Sequence, residues 1–338
     1  MILFRCDANP LLGMGHLMRC RTLAGALADL NETCVMVGPE ISYANSEDAR
    51  IFQDWIPQSW QSSPAADANA LSAIADARHA AVIVLDHMHI DESYQLELLK
   101  RGRKWLQFDG AVNKPMWADL IVNANPTVTI ADYGSLIKGE KYELLAGPAY
   151  AIVRKEFAHY ALSAKPKKAT TILLTFGGGD DRGAILFSLK ALIPCIPNHV
   201  NFLVISGRSN SRNDANLAWI HQHAAARVEY LIDPPDVAGV MAQCALAVMA
   251  GGTTTYEANC LGIPMVLLAI AENQIRQSQA WQSVGQAVFL GSFEMIHPET
   301  LFTAVNEQIQ DLDHRSKFQK MVDGKGAFRV AKKIVDIV

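Results

Sequence analysis

Short apolar runs alternate with runs of helical periodicity along this sequence, and both halves begin with an apolar run that leads into glycines. Residues 2–6 precede Gly13 and Gly15, after which leucines recur at helical spacing. Residues 170–176 precede the glycines at 177–179 in the same way. Such alternation predicts an α/β fold in which crossover helices connect parallel strands. Ligands bind where the strands of such open sheets end, so these turns are the first candidates for a functional site.

The strand and helix signals extend through both halves. Asp, Ser or Pro at helix starts and Gly at helix ends supply the boundaries. Strands are also predicted at residues 33–37, 81–85, 104–108, 120–123, 200–206, 228–232, 245–249 and 264–268. Helices are predicted to begin at residue 16, after residues 46–48, at residues 63–64, at residue 91, near residue 182 and at the glycine–threonine turn 251–255.

The 338 residues, half of them apolar, suffice for two domains of roughly 150 residues each. A turn-rich stretch at 145–150 and a polar stretch at 165–168 mark the boundary. We predict two Rossmann-like, doubly wound domains that face a cleft. Their ranges are 1–148 for the N-terminal domain, 149–168 for the linker and 169–315 for the C-terminal domain, with a final helix at 316–338 that packs back on the first domain.

Composition excludes several classes of function. The net charge of −4 and the lack of a Lys/Arg cluster argue against nucleic acid or an anionic membrane surface as the main partner. The six cysteines are scattered without a C-x-x-C pair, which argues against a disulfide or zinc framework. The longest apolar stretch, 260–271, is interrupted by Gly262 and Pro264 and is too short to span a bilayer. We expect a cytoplasmic protein without membrane insertion, and we leave its oligomeric state open, with a monomer as one option.

His16 is the candidate catalytic residue, because it falls in the first turn of the helix that follows Gly13 and Gly15. A helix N-terminus carries roughly half a positive elementary charge, which disfavours a protonated imidazole there. A neutral imidazole can accept a proton from water, so we predict that His16 acts as a general base. An incidental histidine in an ordinary turn is the alternative. A dinucleotide fingerprint is less well matched, because Met18 occupies its third glycine position.

The glycine–threonine turn of the second half is the candidate phosphate site. Backbone N–H groups, three hydroxyls and a helix N-terminus converge there, which suits a phosphate or a diphosphate. No lysine follows the glycines, so the turn is not a Walker A loop. Glu257 could accept hydrogen bonds from a ribose diol, although a capping role is the alternative for these residues. The predicted contacts are Gly252, Thr253, Thr254, Thr255, Tyr256 and Glu257.

Other candidates carry a weaker signal. Adjacent amides at Asn273 and Gln274 suit sugar hydroxyls or N-acetyl groups, and Gly178 lies in the second glycine turn. Arg154 follows the domain boundary and could reach a nucleotide. Asp7, Gly13, Gly15 and Asp86 are further candidate substrate contacts, because they lie at or after strand ends. Structural roles are real alternatives for Asp7 and Asp86. No metal site is predicted: a structural or solvent-exposed role is favoured for His87 and His89, and the role of Arg19 is left undecided.

Taken together, these motifs resemble a known family. Arg5-Cys6-Asp7 followed by residues 13–20 resembles the N-terminal signature of the UDP-2,4-diacetamido-2,4,6-trideoxy-β-L-altropyranose hydrolases, which serve pseudaminic acid biosynthesis. The resemblance continues in order, over most of the chain, at residues 86–87, 108–109, 118–123, 147–157, 251–257 and 271–274. The last two of these motifs are shared with the peptidoglycan glycosyltransferase that adds N-acetylglucosamine to a lipid-linked sugar.

The resemblance implies a GT-B architecture and a metal-independent hydrolase, without a cofactor, that releases UDP from a UDP-sugar with inversion at the anomeric carbon. It implies that His16 is the proton acceptor and that Arg154 and Glu257 contact the small-molecule substrate. Two other functions stay open. One is a GT-B glycosyltransferase in which His16 deprotonates an acceptor hydroxyl, and the other is a non-catalytic protein that binds nucleotide sugars. A dehydrogenase that uses NAD is a distant third.

Overall fold

The computed structural model describes residues 1–8, 14–163, 171–311 and 319–338. The chain divides into two compact units, which we call unit 1 (Met1–Val153 with Lys325–Val338) and unit 2 (Arg154–Gly324). The chain therefore passes from unit 1 to unit 2 once and returns once. Several parts of the predictions lie outside the described residues: Gly13, residues 164–168 of the linker, residues 169–170 and 312–315 of the predicted C-terminal domain, and residues 316–318 of the predicted final helix.

Each unit contains one sheet whose strand pairs are all parallel. Unit 1 has the order β3-β2-β1-β4-β5-β6-β7, and unit 2 has the order β10-β9-β8-β11-β12-β13. The strands are β1 (Ile2–Cys6), β2 (Cys34–Gly38), β3 (Asp54–Pro57), β4 (Val82–Asp86), β5 (Lys104–Phe108), β6 (Leu120–Asn123), β7 (Glu143–Ala146), β8 (Thr171–Thr175), β9 (Asn201–Ser206), β10 (Val228–Ile232), β11 (Leu246–Ala250), β12 (Met265–Ala269) and β13 (Ala287–Ser292).

Helices connect the strands as crossovers, and several begin at a side-chain cap. Ser63 accepts a hydrogen bond from the Ala66 N–H, and Asp91 accepts one from the Tyr94 N–H. The α-helices are α1 (Gly15–Ala28), α2 (Asp48–Ile51), α3 (Pro64–Ala77), α4 (Glu92–Lys100), α5 (Ile130–Tyr133), α6 (Lys155–Ser163), α7 (Ala184–Leu192), α8 (Asn213–His223), α9 (Val237–Ala242), α10 (Thr254–Cys260), α11 (Ile275–Ser283), α12 (Pro298–Gln310) and α13 (Gly326–Ile337), with 3₁₀ turns at Ile41–Tyr43, Gly134–Leu136, Pro148–Tyr150, Glu272–Gln274 and Phe293–Met295.

Both sheets are covered by apolar cores. In unit 1, one face of the sheet packs against α1 and α13, and the other packs against α3 and α4. Val330, Ala331 and Ile334 of α13 are fully buried in the first of these cores. In unit 2, a core that includes Leu189 of α7 and Leu301 of α12 covers the central strands. Helices on the faces of an all-parallel sheet are the arrangement that buries it most completely.

The predicted fold class is confirmed, since two parallel α/β sheets are present. The sequence missed β3, β7 and β13, and each of these is an edge strand. Edge strands are less buried and give a weaker apolar signal, as in β13, where no residue is fully buried.

The predicted final helix over 316–338 is too long. Residues 319–325 are not helical, because the Met321 and Val322 N–H groups donate to the Asn259 side chain and Gly324 adopts a φ of +74°. The helix begins at Gly326, where an added Cβ would lie 2.1 Å from the Ala151 carbonyl oxygen.

Candidate active site

Unit 1 brings together His16 and Asp86, two residues that are 70 positions apart. β1 and β4 are neighbours in the sheet, and Cys6 pairs with Asp86 at the carboxyl ends of these strands. The helix after β1 starts at Gly15, so His16 projects from its first turn at the same edge. The strand order of the sheet, rather than any local motif, therefore creates this contact.

The carboxylate of Asp86 holds the imidazole of His16. Asp86 Oδ1 lies 2.7 Å from His16 Nδ1, and Asp86 is 2% exposed. Burial opposes ionisation of this carboxyl, yet the nearby Arg19 and His16 keep the pKa of Asp86 well below its usual range. A carboxylate opposite Nδ1 requires Nδ1 to carry the ring proton, so Nε2 is left as the acceptor. The side chain of His16 is 22% exposed, which suits a base that must meet water.

Arg19, one turn after His16, completes this cluster, and the sequence did not identify its role. Its guanidinium donates to both Asp86 oxygens, at 2.6 Å from Nε to Oδ2 and 2.5 Å from Nη2 to Oδ1. The guanidinium also lies 4.5 Å from the centroid of the Phe108 ring. The spacing of Arg19 from His16 was the available signal, because residues three apart share a helix face.

Asp7 has a structural partner. Its Oδ1 accepts a hydrogen bond of 2.8 Å from Nη1 of Arg5, a fully buried residue. The same guanidinium binds both carboxylate oxygens of Asp67 in α3 at 3.0 Å, and this buried pairing helps to raise the pKa of Arg5. Asp7 is therefore part of an ion-pair network within the sheet end, although its side chain is still 18% exposed.

His87 and His89 lie in an aromatic cluster with Trp60. The ring centroids of His87 and Trp60 are 5.5 Å apart, and those of His89 and Trp60 are 4.5 Å apart. Burial lowers the pKa of His87, whose two ring nitrogens make no hydrogen bond with the described residues. Among those residues, no group of three or more His, Cys, Asp or Glu side chains is arranged to hold a metal ion.

Unit 2 brings Arg154 and Glu257 together. Glu257 Oε1 accepts hydrogen bonds from Arg154 Nε at 3.1 Å and from Nη2 at 2.9 Å. Burial raises the pKa of Glu257, and the guanidinium of Arg154 opposes that rise. Because both contacts fall on Oε1, Oε2 receives no hydrogen bond from the described residues. That oxygen can accept one from a hydroxyl.

The glycine–threonine turn precedes α10 as predicted, and its residues differ in availability. Thr253 is exposed, and an added Cβ on Gly252 would meet nothing within 4 Å, so the backbone there is open to a ligand. Tyr256 is buried, with its ring centroid 5.5 Å from that of Trp281. Thr254 is half-buried in the first turn of the helix.

Thr255 is corrected to a structural role. Its hydroxyl donates to the Gly252 carbonyl oxygen at 2.7 Å and accepts from Gln277 Nε2 at 2.6 Å and Trp281 Nε1 at 2.9 Å. One donor and two acceptor positions exhaust a hydroxyl, and Thr255 is fully buried. The signal for this role lay in Trp281, a buried indole that needs an acceptor.

The remaining predicted contacts lie at the carboxyl end of the second sheet. Asn273 is exposed, while Gln274 uses its Oε1 to accept the Ile270 N–H at 2.9 Å. Gly178 is exposed, and a Cβ on Gly207 would lie 2.0 Å from the Gly178 carbonyl oxygen, so these two turns pack backbone to backbone.

In the stretches that the structure describes, no helix is both long and apolar enough to cross a bilayer.

Comparison with known proteins agrees with these observations. No protein-family model matches the chain. The chain is 26% identical over 246 residues to the spore coat polysaccharide biosynthesis protein SpsG of Bacillus subtilis, covering 70% of this chain and 68% of SpsG. It is 23% identical over 274 residues to the UDP-2,4-diacetamido-2,4,6-trideoxy-β-L-altropyranose hydrolase of Campylobacter jejuni, covering 81% of this chain and 93% of that enzyme. The resemblance described from the motifs is thus confirmed.

The solved structures agree on the fold. The crystal structure of MurG from Acinetobacter baumannii superposes with a TM-score of 0.67 at 12% identity, covering 99% of each chain. At such low identity the likeness concerns the fold alone. The chain has the two-domain α/β architecture called GT-B, as the sequence predicted.

Proposed function

We propose that this chain is an inverting hydrolase that releases UDP from a UDP-2,4-diacetamido-2,4,6-trideoxyhexose in nonulosonic (pseudaminic) acid biosynthesis. The pairing of His16 with Asp86 carries the proposal, because it supplies a general base with Nε2 directed away from its partner. The similarity to the Campylobacter jejuni enzyme, whose name states a hydrolase of such a UDP-sugar, supports the choice of substrate class.

In the proposed reaction, His16 Nε2 takes a proton from water while the water oxygen attacks the anomeric carbon. The bond between that carbon and the diphosphate oxygen breaks, and UDP leaves with the electron pair. Attack opposite the leaving group inverts the anomeric configuration. Asp86 stabilises the imidazolium that forms, as a buried carboxylate does in a triad. The proton later passes from His16 to solvent.

We propose that unit 2 binds UDP. The open backbone at Gly252, together with the side chains of Thr253 and Thr254, supports a diphosphate site at the start of α10. Glu257 Oε2 would accept from the ribose diol, while Arg154 holds the other oxygen of that carboxylate. Asn273 and the amide nitrogen of Gln274 would contact the sugar. Tyr256 supports the turn by packing on Trp281 rather than by reaching the ligand.

A glycosyltransferase is the second candidate, because the chain shares its fold with MurG. In that reaction His16 would deprotonate a hydroxyl of an acceptor instead of water. The two functions differ in their products. Hydrolysis gives UDP and free sugar without any acceptor, whereas transfer gives neither until an acceptor is added.

The experiment incubates the full chain with a panel of UDP-diacetamido-trideoxyhexoses, without an acceptor, and follows the products by NMR. We expect release of UDP and a free sugar whose first-formed anomer is opposite to that of the substrate. A panel-wide lack of UDP release would reject the hydrolase. Release with retained configuration would reject direct attack by water. UDP binding without any turnover would identify a non-catalytic binding protein.

A further inference from the structure

We propose that Arg19 is a positioning residue that sets the pH range in which His16 works as a base. The inference rests on the function proposed above. Arg19 Nη2 and His16 Nδ1 share one carboxylate oxygen, Asp86 Oδ1, at 2.5 Å and 2.7 Å respectively. Arg19 Nε binds the second oxygen at 2.6 Å. The carboxylate that faces His16 is therefore also in a two-point contact with a permanent cation.

Because Arg19 and His16 contact the same carboxylate, Arg19 reduces the net negative charge next to the imidazole. An isolated Asp86 carboxylate would attract the proton onto His16 before any substrate arrived. Arg19 balances that negative charge, and its Nη2 lies 3.4 Å from His16 Nδ1. A fixed positive charge so close disfavours a second positive charge on the imidazole.

The other titratable groups around His16 add little charge near neutral pH. Burial raises the pKa of the Cys20 thiol, which lies 3.9 Å from Asp86 Oδ2, so the thiol stays protonated. His87 directly follows β4, and burial lowers its pKa, so this imidazole stays neutral. Asp86 and Arg19 are the charged side chains seen in contact with His16 in the described residues, and the charge of Arg19 opposes protonation of the imidazole.

Two substitutions separate the charge of Arg19 from its geometry. Arg19→Gln removes the charge and the two-point contact. Arg19→Lys keeps the charge but cannot bind both oxygens of Asp86 in the same way. We expect Arg19→Gln to move the acid limb of kcat/KM to higher pH by about one unit. We expect Arg19→Lys to leave that limb in place and to lower kcat by about tenfold, because His16 is less well held.

Arg21 provides a matched control on the same helix. Its Nε and Nη2 bind the two oxygens of Asp48 at 2.7 Å, so Arg21→Gln also removes a two-point Arg–Asp pair from α1. It leaves the contacts of His16 untouched. We expect Arg21→Gln to lose stability comparably to Arg19→Gln, as measured by urea unfolding, while its pH–rate profile matches that of the wild type.

A titration of the His16 ring by NMR in the full chain tests the proposal independently of turnover. The His16 signal is assigned by comparison with His16→Asn. The expected result is a midpoint at higher pH in Arg19→Gln than in the wild type. An unchanged midpoint overturns the role of Arg19 even if the chain hydrolyses UDP-sugars. A raised KM with an unchanged midpoint would identify Arg19 as a substrate contact instead. A shifted midpoint in a chain that lacks turnover would uphold the electrostatic role and reject the hydrolase.

Discussion

At the scale of single residues, the candidate chemistry depends on one imidazole with a defined orientation. His16 contributes because Asp86 directs its Nδ1, which leaves Nε2 as the acceptor of the ring. A histidine in the same helical turn without that carboxylate would be free to rotate and to change tautomer. The value of His16 therefore comes from a contact that the sheet supplies.

His16→Asn is expected to lower kcat by about 10²–10⁴-fold, the usual contribution of a general base. UDP binds through unit 2 in our proposal, so its dissociation constant should stay unchanged when measured by calorimetry. His79→Asn is the matched control, because His79 is exposed at the end of α3 and has a φ of +51° that asparagine tolerates. A turnover rate for His16→Asn equal to that of the control would reject the assignment.

Asp86→Asn is expected to lower the free energy of unfolding at neutral pH and to make it depend less on pH in the acid range. The folded state lowers the pKa of Asp86, so its ionised form stabilises the fold above the pKa of an unfolded aspartate. That stabilisation disappears as the pH falls through the lowered value. Removing one partner of this largely buried network should cost about 2–3 kcal/mol at pH 7.

Urea unfolding of the wild type and of Asp86→Asn between pH 7 and pH 2 measures this effect, because the stabilisation is lost from the pKa of an unfolded aspartate, roughly 3.9, downward. We expect the two stability curves to converge toward low pH. Asp54→Asn breaks a half-exposed pair with Arg78 and should change stability by less than about 1 kcal/mol. Parallel curves for the wild type and Asp86→Asn would contradict the argument.

Glu257→Gln is expected to weaken binding without weakening the fold. Burial raises the pKa of Glu257 in the folded state, so this group stabilises the fold below the pKa of an unfolded glutamate and loses that effect as pH rises through the folded value. A neutral glutamine removes this loss, so the free energy of unfolding at pH 7 should stay within about 1 kcal/mol of the wild type or rise.

Ligands that lack one ribose hydroxyl distinguish the role of Glu257. In the wild type, 2′-deoxy- or 3′-deoxy-UDP should bind about 10-fold more weakly than UDP, since one hydrogen bond to a charged group is lost. In Glu257→Gln that difference should shrink, as measured by calorimetry. If both proteins show the same penalty for the deoxy ligands, Glu257 does not contact the ribose.

At the scale of elements, the interior strands of the described sheets could be predicted, whereas the edge strands β3, β7 and β13 could not. The runs at 104–108 and 120–123 match the interior strands β5 and β6, which carry buried apolar residues. The run at 228–232 matches β10, which is an edge strand. β3 has the sequence Asp-Trp-Ile-Pro, which carries charge and a proline and gives no such signal. Local patterns therefore revealed the interior strands and the edge strand β10, but not the edge strands β3, β7 and β13.

The candidate site follows the same division. Position alone identified His16 at a helix start and Asp86 at a strand end, because each motif is local. Their contact requires β1 and β4 to be neighbours, which no local pattern specifies. The pairing of Asp7 with Arg5 and the full use of the Thr255 hydroxyl by Trp281 were likewise not visible, since both depend on which side chains are buried together.

Asn259 of α10 anchors the segment that leads to the final helix. Its Oδ1 accepts from the N–H groups of Met321 at 2.9 Å and Val322 at 3.0 Å, and its side chain is fully buried. Asn259→Ala should lower the free energy of unfolding by about 2–4 kcal/mol, because two backbone donors lose their acceptor. Amide hydrogen exchange at Met321 and Val322 should become faster.

Urea unfolding and hydrogen exchange by mass spectrometry measure these two effects. The control is Asn198→Ala, because Asn198 is exposed and its Oδ1 accepts one bond from Arg227. It should change stability by less than about 0.5 kcal/mol. Unchanged exchange at residues 321–322 in Asn259→Ala would show that the anchor lies elsewhere.

At the scale of the whole molecule, the two units differ in how many segments of the chain form them. Unit 2 is one uninterrupted segment, whereas unit 1 combines Met1–Val153 with Lys325–Val338. α13 fills part of the unit 1 core, where Val330, Ala331 and Ile334 pack with residues of α1 and the sheet. Without α13, part of the apolar core that α13 shares with α1 would be exposed to water.

The split of unit 1 has a consequence for synthesis on the ribosome. Residues of unit 2 emerge in one continuous stretch and contain all the strands of their own sheet. Residues 1–153 of unit 1 emerge before unit 2. The apolar core of unit 1 stays incompletely covered until α13 has been translated. The half of the molecule that is made first is therefore finished last, and it is the half that carries His16.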